Sequence, residues 1–306
     1  MTDNFIEEAA LELAEREKWD DSIATSITKA KYESDIERLS PDQKIVAKPF
    51  VKWVGGKRSI ISELVERMPV TYNRYYESFV GGGALFFEVQ PENAHLSDIN
   101  FHLIITYQAV RDDLERLIEL LAEHNAAHDK AHYLECRDQL STETDSTKIA
   151  ALFIYINKTC FNGLYRVNKA GKYNVPMGAY KNPAILDEDN LRGVSELLQG
   201  VSIEQRPFSQ VEPQKGDFFY FDPPYHQTYD QYSNDRFADE QHKALAKLCR
   251  EIDAAGGYFM LSNSDTDFVK QLYKGFTMED VMASRNVSCK SDQRGRHNEL
   301  LIRNYD

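Results

Sequence analysis

The chain has 306 residues, with 36 Lys and Arg against 49 Asp and Glu, and a formal net charge of −13. Hydrophobic residues at 42% supply a sizeable core and exclude wholesale disorder. The longest apolar run, residues 149–156, is far short of the roughly 20 residues a membrane-spanning helix needs, so no span is expected.

Residues 5–39 read as helical, with Phe5, Ala9, Leu13, Ile23 and Ile27 at helix-like spacing, until Ser40-Pro41-Asp42 breaks the pattern. Residues 1–47 hold six basic and twelve acidic residues, so they form an acidic extension and a candidate partner-binding segment. They lack the basic and apolar build of a secretory signal. Lys57–Met68 predicts a short helix, Arg74–Val80 a strand ending at Gly81-Gly82-Gly83, and His95–Asp98 a second strand. Helical periodicity runs from His102 to about Glu135. Period does not decide between helix and strand for 149–156. Phe161–Tyr180, punctuated by Gly163, Gly171, Pro176 and Gly178, reads as a hairpin or extended loop. Asp217–Phe221 predicts a strand stopped by Pro223-Pro224, followed by a helix over Asp239–Ala255 and a strand over Tyr258–Ser262. Strands alternating with helices on both sides of the middle segment imply an α/β sheet carrying an insertion. Cys136, Cys160, Cys249 and Cys289 form no C-x-x-C pair, which excludes a zinc ribbon and suits a reducing, cytoplasmic setting.

Charge is unevenly spread. Residues 48–58 carry four basic residues and 156–181 carry five, with no acid in either stretch. Two basic patches on an acidic body are compatible with a phosphate backbone, and equally with solvated loops.

Asp222-Pro223-Pro224-Tyr225 follows the strand Phe218–Phe221 directly. The prolines stiffen the turn and give up backbone donors, leaving the Asp222 carboxylate and the Pro223 carbonyl as acceptors beside the flat face of Tyr225. Such a clamp suits a planar group bearing an amine, such as a nucleobase; a Pro-rich turn after an edge strand would look the same. Gly81-Gly82-Gly83 after a strand lets a ligand approach the backbone, but lacks the dinucleotide spacing that would indicate NAD. Asp98 ends the next strand, where an acid can accept ribose hydroxyls or simply close a turn.

Taken together, Lys52-Trp53-Val54-Gly55-Gly56-Lys57, Glu77–Gly83, Asp98-Ile99-Asn100, the segment Phe161–Gly178 and Asp222–Tyr225 resemble the Dam-type (D12 class, alpha-group) DNA adenine N6-methyltransferases, from about residue 48 to the C-terminus. The resemblance implies a Rossmann-like S-adenosylmethionine-dependent sheet with an inserted helical plus β-hairpin DNA-recognition domain. Its implied boundaries are 48–102 for the cofactor part, 103–184 for recognition with the hairpin at 161–180, and 185–306 for the remaining catalytic part. The implied activity is methylation of N6 of a flipped adenine in double-stranded DNA, commonly within GATC, in a bacterial or phage-infected cell at the nucleoid. Trp53, Lys57, Phe79, Gly81, Gly83, Asp98 and Asp222 would border the cofactor, and Asp222, Pro223, Pro224 and Tyr225 would act on the base. In the hairpin, Arg166 would read a guanine edge, Leu164 and Pro176 a thymine methyl, and Phe161 would wedge into the gap of the flipped base. Asn162, Asn168 and Lys52 complete the implied DNA contacts. The chemistry requires no metal.

Three other readings compete. Cytosine N4 also carries an exocyclic amine suited to the clamp. A protein glutamine or RNA substrate would leave the basic hairpin without a purpose, and glutamine methylation goes with Asn at position 222. A catalytically idle DNA-binding regulator would not need an intact Asp222–Tyr225.

Overall fold

The computed structural model describes residues 44–226, 237–284 and 296–306, and those from Ile45 onward form one compact unit. The expected N-terminal helical extension, but for its last four residues, lies outside the described residues, as does Cys289. In chain order the elements are α1 (Ile61–Glu66), β1 (Tyr75–Glu77), α2 (Ala84–Val89), β2 (Ala94–Asp98), α3 (Phe101–Asp112), α4 (Leu114–Ala126), α5 (Lys130–Gln139) and α6 (Ser146–Thr159). They continue with α7 (Glu188–Leu197), β3 (Ser202–Gln205), β4 (Phe218–Phe221), α8 (Asp239–Ala254), β5 (Tyr258–Ser264), α9 (Asp267–Leu272), β6 (Thr277–Ser284) and β7 (Arg296–Arg303).

The seven strands form one sheet in the order β3-β2-β1-β4-β5-β7-β6. β1 to β5 are parallel, with Tyr75 opposite both Ala94 and Phe218, and Phe218 opposite Tyr258. β7 runs antiparallel to β5 and β6. β4 is buried on both faces, as a central parallel strand requires. Its period of two sends Phe218 and Tyr220 into one core and Phe219 and Phe221 into the other. Tyr75 and Tyr76 on β1, and Met260 and Leu261 on β5, divide in the same way. A one-residue slip would exchange the two sets, so register is pinned by the flanking helices. This is a Rossmann-like fold.

Several expectations shift at their edges. The helix expected over 57–68 is a 3-10 turn, Lys57–Ile60, followed by α1. β1 stops at Glu77, because the chain leaves the sheet there to build the glycine loop. The long helical stretch after His102 is three helices, divided at Asp113 and again at Asp129, whose carboxylate accepts from the His132 N–H at 2.7 Å to cap α5. Residues 149–156 belong to α6, capped by Asp145 and packed against α3, α4 and α5. A helix covered on every side shows no periodicity, which is why the sequence left it open. Phe161–Tyr180 is an antiparallel hairpin held by bridges at Cys160–Met177 and Val167–Tyr173 rather than by regular strands. No helix among the described residues is long and apolar enough to cross a membrane.

Candidate active site

Strand order reverses between β1 and β4, so the carboxyl ends of these two neighbours open a crevice where open α/β sheets bind ligands. The loop leaving β1 carries Gly81–Gly83, and β4 ends immediately before Asp222. These two segments, 140 residues apart in sequence, therefore meet at one sheet edge.

The glycine loop is defined by backbone geometry. Gly81 has φ +47° and Gly83 φ +66°, both left-handed. A Cβ on Gly81 would lie 2.6 Å from Trp53 Cδ1, so the indole rests directly on the loop backbone. The Asp98 carboxylate accepts from the Gly81 N–H at 3.3 Å and the Asn100 N–H at 3.0 Å, and Tyr107 donates to the Gly81 carbonyl at 3.1 Å. Burial nonetheless pushes Asp98 up to about 6, because those donors offset only part of its desolvation. Phe79 packs against Phe208 in a stacked pair and edge-on against Phe221.

Asp222 is held by Lys57. Lys57 is only 5% exposed, and its ammonium lies 2.8 Å from Asp222 Oδ2 and 3.9 Å from Glu299 Oε2 and donates to the Gly55 carbonyl at 2.6 Å. Lys57 also sits 4.9 Å from the centre of the Tyr225 ring, whose hydroxyl donates to Glu299 at 2.6 Å. One cation thus faces two carboxylates, and Glu77 adds a third nearby acid. Burial pushes Glu77 up to about 8 although the Tyr75 hydroxyl donates to it. Asp222 rises to about 6, first through desolvation, with Lys57 pulling it back and Glu299 pushing it further. Pro223 is buried and Pro224 exposed. The chain after Tyr225 is tied to the end of β5: the His226 N–H donates to Asn263 at 3.2 Å, and Ser264 donates to the His226 carbonyl at 2.7 Å.

The hairpin joins this edge through Tyr165, whose ring stacks on Trp53 at 6.0 Å and whose hydroxyl bonds His102 at 3.0 Å. Phe161 is 44% exposed at the hairpin base, followed by Asn162 (φ +54°) and Gly163 (φ +64°), an unusual left-handed pair. Pro176 is exposed, whereas Leu164 is half-buried against the core. Arg166 donates through Nε to Asn174 Oδ1 at 2.6 Å and through Nη2 to the Asn174 carbonyl at 3.1 Å, so it braces the hairpin. Asn168 Oδ1 accepts the N–H groups of Ala170 and Lys172 and closes the hairpin turn. The Lys52 ammonium donates to the Lys158 carbonyl at 2.9 Å and lies 3.9 Å over Tyr180.

The D12 class N6 adenine-specific DNA methyltransferase family matches residues 53–287 of the chain. The chain belongs to this family. Among its curated relatives, the type II methyltransferase M1.LlaDCHI of Lactococcus lactis subsp. cremoris is 38% identical over 280 residues, covering 87% of this chain and 99% of its own. Type II methyltransferase M.MjaIII of Methanocaldococcus jannaschii is 41% identical, covering 84% and 99%. The DNA adenine methylase of Haemophilus influenzae is 31% identical, covering 87% and 96%. The protein is an adenine-specific DNA methyltransferase.

In this methyltransferase the structure brings Trp53, Lys57, Gly81, Gly83, Asp98, Asp222 and Tyr225 to one sheet edge, with the hairpin joined to it by Tyr165. Sequence reasoning missed Glu299, Asn263 and Tyr165. Glu299 lies on β7, where a lone acid before Leu300-Leu301-Ile302 carries no local sign of the residues it meets. Tyr165 lies inside the hairpin, and its aromatic partner Trp53 is 112 residues earlier in the chain.

Proposed function

We propose that this methyltransferase moves a methyl group from S-adenosylmethionine to N6 of an adenine flipped out of duplex DNA, within GATC. The observation that carries this reading is Asp222, at the end of β4, gripped by Lys57 beside the Gly81–Asp98 loop. The residues at this edge fit the cofactor: Gly81 and Gly83 let the loop turn tightly against Trp53 and Tyr107, Asp98 is an acid at a strand end, and the Ser78 hydroxyl and Asn263 Nδ2 are buried without partners among the described residues. Trp53, Lys57, Phe79, Gly81, Gly83 and Asp98 would hold it. When bound, it supplies a methyl group on a cationic sulfur.

The protein's own task is to prepare the amine. The N6 lone pair of adenine is delocalised into the ring and is a poor nucleophile. Asp222 and the Pro223 carbonyl, each accepting one N6–H, would pull the nitrogen toward tetrahedral geometry and stabilise the positive charge that develops there. Lys57 keeps the carboxylate aimed, Pro224 stiffens the turn, and Tyr225 offers a stacking face fixed by Glu299. A carboxylate raised to about 6 is also suited to take the proton that the methylated nitrogen sheds.

We place DNA recognition in residues 103–184, and catalysis in 48–102 and 185–306. Lys52, Phe161, Asn162, Leu164, Arg166, Asn168 and Pro176 would face the duplex, with Phe161 filling the vacated stack. Mapping methylated bases in DNA from cells expressing the protein tests the reading; N6-methyladenine confined to GATC supports it, and another base or context overturns it.

Two further outcomes are expected. Saturating S-adenosylmethionine should raise Tm by preferential binding to the folded state, and Asp98→Asn should shrink that rise. An undiminished rise in the variant would remove Asp98 from the cofactor site. Arg166→Ala should cost about 1–3 kcal/mol of discrimination at one base pair of the target. Asn174→Ala, which removes the Nε–Oδ1 half of the hairpin brace and keeps the Arg166 guanidinium, serves as the control: equal losses on every altered duplex in both variants would make Arg166 a structural residue.

A further inference from the structure

His124 in the last turn of α4, and His132 and Cys136 one turn apart on α5, each aim one atom at a common point. His124 Nδ1 lies 3.0 Å from His132 Nε2, Cys136 Sγ lies 3.4 Å from His132 Nε2, and Cys136 Sγ lies 3.7 Å from His124 Nδ1. A tetrahedral zinc ion, with Zn–N of about 2.0–2.1 Å and Zn–S of about 2.3 Å, separates two nitrogens by about 3.3 Å and nitrogen from sulfur by about 3.6 Å. The triangle is thus close to a ligand set before any ion enters. Hydrogen bonding alone serves it poorly. An imidazole nitrogen is either donor or acceptor, with a single proton or lone pair, so three mutual contacts among two such nitrogens and one thiol cannot all be well-directed bonds. A cation lets all three atoms act as lone-pair donors.

We propose that His124, His132 and Cys136 bind a zinc-class divalent cation that fixes the α4–α5 corner. Two imidazoles and one thiolate are the borderline-soft donor set of zinc, with water completing the fourth position. Binding would release the Cys136 thiol proton to solvent, leaving the thiolate on the metal. Cys136 is buried, while both histidines are half-buried, which leaves the ion a path from solvent. The site uses no residue of the methyl-transfer edge. It lies instead under the hairpin: the Tyr155 ring stacks on His124 at 5.1 Å, and Tyr133, next to His132 on α5, donates to the Val175 carbonyl at 2.9 Å. An ion here would hold α5, and through Tyr133 the returning arm of the hairpin.

The test uses the full chain, stripped with chelator and titrated with Co²⁺ as a spectroscopic probe and with Zn²⁺. One Co²⁺ per chain with a thiolate-to-cobalt charge-transfer band, and a Tm rise of about 5 °C at Zn²⁺ well above its Kd, are expected. Cys136→Ser should abolish the band, and His132→Gln, at a half-buried position, should weaken binding at least tenfold while the metal-free fold is retained. A titration without the band, or a band and Tm rise unchanged in both variants, would overturn the site.

Discussion

Asp222→Asn should lower single-turnover methyl transfer by at least about 10²-fold, the size expected when a preorganised electrostatic partner of a developing charge is lost. The substitution keeps the shape and removes the charge, so the protein should still fold and bind duplex DNA through its hairpin. The wild-type rate should also carry an acid limb. Asp222 is raised to about 6, and once protonated it offers one acceptor fewer to the amine, so transfer should fall as pH drops through about 6. Quenched-flow measurement at saturating cofactor and DNA, from pH 5 to 8, checks both the size and the sign. An Asp222→Asn rate within a few-fold of wild type would mean that the carboxylate does not touch the reacting nitrogen.

Lys57→Met should act on stability and on that acid limb together. Lys57 is the cation between Asp222 and Glu299, and its removal leaves two buried carboxylates facing each other. Breaking a buried pair from one side costs about 3–5 kcal/mol, or a Tm lower by about 6–20 °C for a domain of this class. The cost has a pH signature. A group whose folded pKa is raised stabilises the fold while protonated and loses that contribution as pH rises. Without Lys57 the Asp222 pKa rises above about 6, so the Tm deficit should shrink toward pH 5 and grow toward pH 8. The acid limb of transfer should move upward by the same logic. A deficit independent of pH would assign Lys57 a packing role only.

The parts of this site that were legible in the sequence are those whose chemistry is local. Asp222 stands out because an aromatic strand and two prolines frame it within eight residues, and Gly81–Gly83 because three consecutive glycines after a strand-like run mark a turn. The sheet class followed from alternating strands and helices for the same reason. What escaped is what the sheet brings together across long separations. Lys57 reads as a cofactor-loop residue, and its contact with Asp222, 165 residues away, has no local sign, because it depends on the 3-10 turn Lys57–Ile60 being packed at the edge where β4 ends. Glu299 reaches the cluster only because β7 folds back antiparallel beside β5. α6 hid its nature by being buried on all sides, and the cross-hairpin pair Arg166–Asn174 shows that a residue read as a base reader also holds its own scaffold.

The most direct measurement of the central claim is a labelling experiment on defined duplexes. Wild-type protein is incubated with methyl-labelled S-adenosylmethionine and either a GATC duplex or one altered at a single base pair, and the DNA is digested to nucleosides. The expected result is label in N6-methyladenine from the GATC duplex alone, and its loss with Asp222→Asn. Label in N4-methylcytosine, label spread equally over all duplexes, or undiminished label with Asp222→Asn would contradict it.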